Sequence, residues 1–281
     1  MTSATGKKVK RLTRLVVGNL NAPSGTLRIL VALAYGVVCH TAFASAVLAM
    51  ITAMYFGMSE SLGSIPHPWS IIANLILVIQ FPIVHSFLLS RSGTKFLIKL
   101  APFDYGGTLA TTTFALVASV QLAALFIFWT PSGIIWWQAD GWLFASLVTL
   151  YTTSWLLLIW ASFDAGAEVQ SGALGWMSLL QRVKPVFPDM PTEGLFKVIR
   201  QPIYLAFALT TWTVPIWTPD QLCLAIVLTT YCLSAPLFKE KRFSLRFGAR
   251  FESYQASVPY MVPRILGCKR DKIRIDQDLN K

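Results

Sequence analysis

Long apolar runs, joined by connections that alternate between basic and free of Lys and Arg, constrain this chain more than any other feature. The stretches IIANLILVIQFPIVHSFLL, TLATTTFALVASVQLAALFIFW and WLFASLVTLYTTSWLLLIWASF contain no acidic or basic residue. Runs of this length cross the roughly 30 Å hydrocarbon core of a bilayer as helices. The 24 Lys and Arg residues keep to alternate connections. Six lie at or before Arg28, three are Arg91, Lys95 and Lys99, four are Arg182, Lys184, Lys197 and Arg200, and eleven follow from Lys239 onward. Segments 58–69, 131–141 and 216–221 hold none. This is the distribution that the positive-inside rule produces in a multispanning protein. The expected fold class is therefore all-α: a polytopic integral membrane protein of about six transmembrane helices, with both termini cytoplasmic.

The spans are expected near 29–57, 69–90, 107–130, 142–163, 202–217 and 221–238. The last two are separated by the tight Pro219–Asp220 turn and form a helical hairpin. The organisation that follows is a basic cytoplasmic arm (1–28), a four-span bundle (29–163), a cytoplasmic connection (164–200), the hairpin with an amphipathic helix (201–263) and a basic tail (264–281). The basic start is followed by Asn19, Asn21, Pro23 and Gly25 rather than an apolar core, so no cleavable signal peptide is expected. A net charge of +11 spread in this way needs only anionic lipid headgroups as partner, and no nucleic acid. Of the four cysteines, Cys39, Cys223 and Cys232 lie in apolar spans and Cys268 in the tail. With no CxxC pair, they read as small hydrophobes rather than disulfide or metal ligands.

The chemistry has few places to reside. There is no Walker-type loop, no GxGxxG after a strand, no HExxH and no GxSxG. His40 sits deep in the first span and reads as a core histidine bonded to a neighbour. His85 lies only about 8 Å of helix rise from the inner end of the second span, beside Ser86, where it is placed to touch a substrate pocket. In the tail, Phe243, Phe247, Phe251 and Tyr254 recur at spacings of four, four and three. That is one aromatic stripe on an amphipathic helix, with Arg242, Arg246 and Arg250 on an adjoining face. The hairpin brings the start of span five to the end of span six, so Arg200, Gln201, Tyr204 and Glu240 are expected at one cytoplasmic mouth. Pro202 at the first helical turn leaves free N–H groups at the positive end of a helix, where a carboxylate is received.

These residues carry a family resemblance. R-Q-P-I-Y at 200–204, K-E-K-R-F at 239–243, F-G-A-R-F-E-S-Y at 247–254, then Val258, Pro259 and Pro263 resemble the carboxyl-terminal half of the isoprenylcysteine carboxyl methyltransferase superfamily. Its pattern there runs R-H-P-x-Y, an apolar hairpin, E-E-x-x-L, then F-G-x-x-Y-x-x-Y and a V-P. A weaker upstream likeness, Val84-His85-Ser86 through Arg91 to Phe96, is similar to the H-S-x-x-x-x-R segment of methanethiol S-methyltransferases and NnrU-like proteins. The resemblance implies S-adenosyl-L-methionine as cofactor, contacted by Gln201, Pro202, Tyr204, Glu240 and Tyr254. It implies Arg200 and Glu240 as the catalytic pair, Arg200 and His85 on the substrate side, and no metal. The implied methyl acceptor is small or lipophilic, a thiol slightly ahead of a prenylcysteine carboxylate or a phospholipid amine. Three positions depart from the pattern: Gln201 stands for the histidine, Lys239 for the first glutamate and Phe251 for the first tail tyrosine. A non-catalytic membrane subunit or assembly factor on the same scaffold is the alternative, and only it requires a partner protein. A transporter is disfavoured, because spans one to four hold no carboxylate and no inverted pair of broken helices is visible.

Overall fold

The computed structural model describes residues 4–263; the expected tail 264–281, with Cys268, lies outside the described residues. Among the described residues, five helices are long and apolar enough to cross a membrane. They are α2 (Thr26–Tyr55), α3 (Trp69–Leu88), α5 (Gly106–Phe128), α6 (Gly141–Gln170) and α9 (Pro219–Phe247). Shorter helices fill the connections at the basic end: α1 (Ala4–Gly18), α4 (Arg91–Leu100), α7 (Ala173–Leu180) and α10 (Ala249–Ser257). The remaining helix, α8 (Pro202–Trp212), starts the hairpin. The fold is the expected all-α polytopic bundle.

The fifth expected span differs in form. The helix α8 has 11 residues, a rise of about 16 Å, which is half the hydrocarbon thickness. The chain then turns at Thr213 (φ −94°, ψ 24°) and is extended only at Ile216–Trp217. Pro215 is the physical reason: it offers no N–H and pushes Val214 away from helical dihedrals. This irregular segment joins α8 to α9, which rises about 31 Å from Pro219 to Glu240. Irregular backbone at membrane depth is tolerated where protein covers it, and Val214, Pro215 and Ile216 are buried. The strand β2 (Ile216–Trp217) pairs antiparallel with β1 (Trp137–Gln138), matching Trp137 to Trp217 and Gln138 to Ile216. Gly57, at φ +60°, lies so close that a Cβ would meet the Ile216 carbonyl at 2.6 Å.

Polar side chains hold this bundle where lipid gives no hydrophobic drive between helices. Gln121 on α5 donates from Nε2 to Gln80 Oε1 on α3 at 2.6 Å, and Gln80 donates back to the Gln121 carbonyl at 3.1 Å. Asn74 and Thr130 exchange two bonds, at 2.8 and 2.9 Å. At the end without Lys or Arg, Asp220 accepts from Trp129 Nε1 at 3.0 Å and from the Ser132 amide at 2.9 Å. The buried Arg28 donates to the carbonyls of Leu179 and Leu180, placing a cation at the negative end of α7. His40 accepts from Trp176 Nε1 at 3.0 Å, the bonded core role expected for it. His85 lies at a different depth, near the basic end.

Candidate active site

The hairpin brings together the residues that the sequence placed at one mouth. Arg200 and Glu240, forty positions apart, form an ion pair with Nε to Oε1 at 2.9 Å; both side chains are about nine-tenths buried. A second Arg200 nitrogen reaches Oε2 at 3.3 Å. Gln201 Nε2 donates to Oε1 at 2.7 Å, and Gln255 Nε2 donates to Oε2 at 2.9 Å. The Glu240 carboxylate is thus fully used, as a buried charge requires. Arg200 spends its other donors on the Gln255 and Val258 carbonyls, at 2.9 and 2.6 Å, and its guanidinium lies 5.5 Å from the Tyr260 ring centre.

The tail folds back over this cluster. The positive φ of Gly248 (+53°, ψ −134°) ends α9 and starts α10, a conformation that suits glycine. The aromatic stripe is therefore split and turned inward rather than laid along one surface helix. Phe243 meets Phe247 and Phe251 edge-on at 5.4 and 5.8 Å, and Phe251 is 2% exposed. Tyr254 donates to the Phe196 carbonyl at 2.7 Å. Burial pushes its phenol well above the ordinary range, with the Arg200 charge opposing, so it remains a donor. Just before α8, the Arg200 and Gln201 amides donate to the Pro259 and Tyr260 carbonyls at 2.9 and 3.2 Å, which ties the end of the tail to the start of the hairpin.

Lys239, which the sequence marked only as a departure, is the residue that this geometry makes prominent. Its ammonium lies 5.7, 5.7 and 5.5 Å from the ring centres of Phe196, Tyr204 and Phe243. It also donates to Gln201 Oε1 at 3.2 Å. Three rings and one amide oxygen make a cage for a cation. Only about 10 Å³ of free space remains among Arg200, Gln201, Lys239 and Tyr254.

The open volume lies next to this cluster. A cavity of about 540 Å³ runs into the bundle, walled by His85, Phe114, Tyr204, Lys239 and Arg242. The His85 ring packs against Phe81 and Phe114, 5.0 and 4.9 Å between centres, and its buried Nδ1 has no hydrogen-bond partner. His85 thus borders a pocket as expected, and Tyr204 joins it to the hairpin. Arg200, Gln201, Glu240 and Tyr254 stand behind that wall. Phe196, Phe243 and Arg242 were missed. The signal available for Arg242 was its place three residues beyond Lys239, on the same side of α9.

The sequence matches no protein-family model, and no solved structure matches it. It is similar to the methanethiol S-methyltransferase of Pseudomonas deceptionensis, 27% identical over 199 residues, covering 70% of this chain and 74% of that one. The methanethiol S-methyltransferase of Crocosphaera subtropica is 27% identical over 243 residues, 83% of this chain and 92% of the relative. Nurim of Xenopus laevis is 31% identical over 135 residues, 44% and 47% of the two chains. These relatives support a membrane methyltransferase and imply a methyl donor. With the hairpin, the R-Q-P-I-Y start and the aromatic tail, the chain fits the isoprenylcysteine carboxyl methyltransferase-like superfamily.

Proposed function

We propose that the chain is an S-adenosyl-L-methionine-dependent membrane methyltransferase whose transfer chamber is the 540 Å³ cavity. The observation that carries this reading is the chamber's shared wall: His85, Tyr204, Lys239 and Arg242 line it, one residue away from the buried Glu240 cluster. The residues fit the cofactor on three counts. The volume is in the range of small-molecule and cofactor sites. The Phe196, Tyr204 and Phe243 rings already surround one cation. The unpartnered His85 Nδ1 lacks the bond that buried polar atoms normally make.

When bound, S-adenosyl-L-methionine supplies an electrophilic methyl group on a positively charged sulfur. Tyr204 would meet it in the chamber, while Gln201, Pro202, Glu240 and Tyr254, with Arg200, would hold the wall behind that contact. The chain's own work is alignment and exclusion of water. The apolar part of its lining, with Phe43, Val47, Phe81, Phe114 and Leu122, would limit the access of water to the reacting atoms. His85 Nδ1 accepts a hydrogen bond, and finally the proton, from an acceptor of the thiol class. The His85–Arg91 segment and the similarity to methanethiol S-methyltransferases favour a small thiol over a prenylcysteine carboxylate or phospholipid amine. The basic end of the bundle faces the cytoplasm, because the opposite connections hold no Lys or Arg.

One observation favours a second reading, a non-catalytic membrane subunit on the same scaffold. The Lys239 ammonium occupies the aromatic cage, and every Glu240 oxygen already has a partner. Titration calorimetry with S-adenosyl-L-methionine, followed by mass spectrometry of methanethiol incubations, separates the two. The enzyme reading expects binding, weakened at least tenfold by Glu240→Ala, and dimethyl sulfide as product. No heat at millimolar cofactor, or a co-purifying partner with no methylated product, supports the scaffold reading.

A further inference from the structure

We infer that the chain carries a built site for an anionic phospholipid, in a second cavity that adjoins the transfer chamber and shares Leu89, Tyr204 and Arg242 with it. This cavity, about 710 Å³, lies between the α3–α4 corner and the last turns of α9. Arg91, Lys241, Arg242 and Arg246 line it, and no carboxylate does. None of these four forms an ion pair among the described residues, whose pairs are Arg11–Glu168, Lys197–Glu193, Arg200–Glu240 and Arg250–Asp189. Arg246 stacks 5.1 Å from the Phe247 ring centre and shares the field of Asp189 with Arg250, without an ion pair of its own. Four like charges facing one space repel each other unless an anion enters it. Arg242 and Arg246, four residues apart on one helix, repel on their own account.

Two further features specify the anion. The ten-residue helix α4 begins at this cavity, with Ser90 as its cap accepting from the Gly93 amide at 3.1 Å. A helix start adds positive potential and suits a phosphate group. Beside Ser86, Ser90, Tyr204 and Tyr231, the lining presents exposed apolar side chains: Phe87 is 48% exposed, Phe238 64% and Leu245 81%. A free phosphate needs no such surface, whereas acyl chains do. The ligand is therefore a phosphate that carries acyl chains, with its headgroup at Arg91, Arg242 and Arg246. This inference does not depend on the methyltransferase reading.

The test uses the full chain purified in a mild detergent and native mass spectrometry with added lipid. Phosphatidylglycerol is expected to be retained at least fivefold over phosphatidylcholine, and the preference to shrink as ammonium acetate concentration rises. Arg91→Gln/Arg242→Gln/Arg246→Gln is expected to abolish the preference. Lys95→Gln/Lys99→Gln, whose side chains do not line the cavity, is expected to keep it. Equal retention of the two lipids by the unmutated chain overturns the inference whether or not the variants fold. So does an unchanged preference in the triple variant. Glycerol 3-phosphate that displaces the lipid at an equal concentration overturns the acyl-chain part and assigns the site to free phosphate.

Discussion

The Arg200–Glu240 pair provides a quantitative test of how the hairpin mouth is held. Glu240 is 7% exposed and accepts four hydrogen bonds, two of them from Arg200. Removing one partner of a buried ion pair costs about 3–5 kcal/mol, because the other charge stays buried. Arg200 would keep two carbonyls and the Tyr260 ring, so the lower end, about 3 kcal/mol, applies to Glu240→Ala. At roughly 2–4 °C per kcal/mol for chains near this size, the detergent-solubilised protein should melt about 6–12 °C lower. Replacing both charges with apolar residues of similar volume is often near neutral. Arg200→Met/Glu240→Met should therefore be more stable than Glu240→Ala. Differential scanning fluorimetry of the two singles, Arg200→Met and Glu240→Met, and the double gives the coupling. Additive losses would refute the claim that these side chains act as one buried unit.

Other outcomes follow from single contacts. Lys239→Met empties the cage of Phe196, Tyr204 and Phe243. Affinity for S-adenosyl-L-methionine should rise severalfold relative to uncharged S-adenosylhomocysteine; an unchanged ratio by calorimetry counts against the cage as the sulfonium site. His85→Phe should lower the methylation rate by about 10²-fold or more while cofactor affinity stays within twofold; equal rates would remove His85 from proton handling. The Arg250 guanidinium, through its hydrogen bonds, and then the Met190 amide hold the Asp189 carboxyl below its ordinary range. A depressed carboxyl pKa stabilises the fold above the ordinary carboxylate range, and that contribution disappears as pH falls through the lowered value. Asp189 and Arg250 are 62% and 55% exposed, so Asp189→Asn should leave the melting temperature unresolved from wild type at neutral pH.

The membrane architecture was legible because a bilayer enforces it: each uncharged run has one place to go, and basic connections mark one side. The meeting of Arg200 with Glu240 was legible for a topological reason, since a hairpin returns the chain to its starting end. The break in the fifth span was harder to read. Its apolar composition continues through Trp217, and only Pro215 signals the extended segment that β1 then pairs. The direction of Lys239 was not legible. A lysine at a helix end usually snorkels outward, but here Phe196, from the connection before the hairpin, and Phe243, one turn later, draw it inward. The stripe ending in Tyr254 had the right period, but Gly248 redirects it, so the aromatic residues cover the cluster rather than lie along lipid.

The central claim, that the hairpin and its adjoining cavity form a methyl-transfer site, is tested most directly by one labelling experiment. Purified protein in nanodiscs is incubated with methyl-deuterated S-adenosyl-L-methionine and methanethiol, and the headspace is read by mass spectrometry. The account predicts trideuterated dimethyl sulfide, formed by the unmutated chain and reduced at least tenfold in Glu240→Ala. No labelled product from the unmutated chain, at cofactor concentrations that calorimetry shows to saturate binding, would contradict methyl transfer to a thiol at this site.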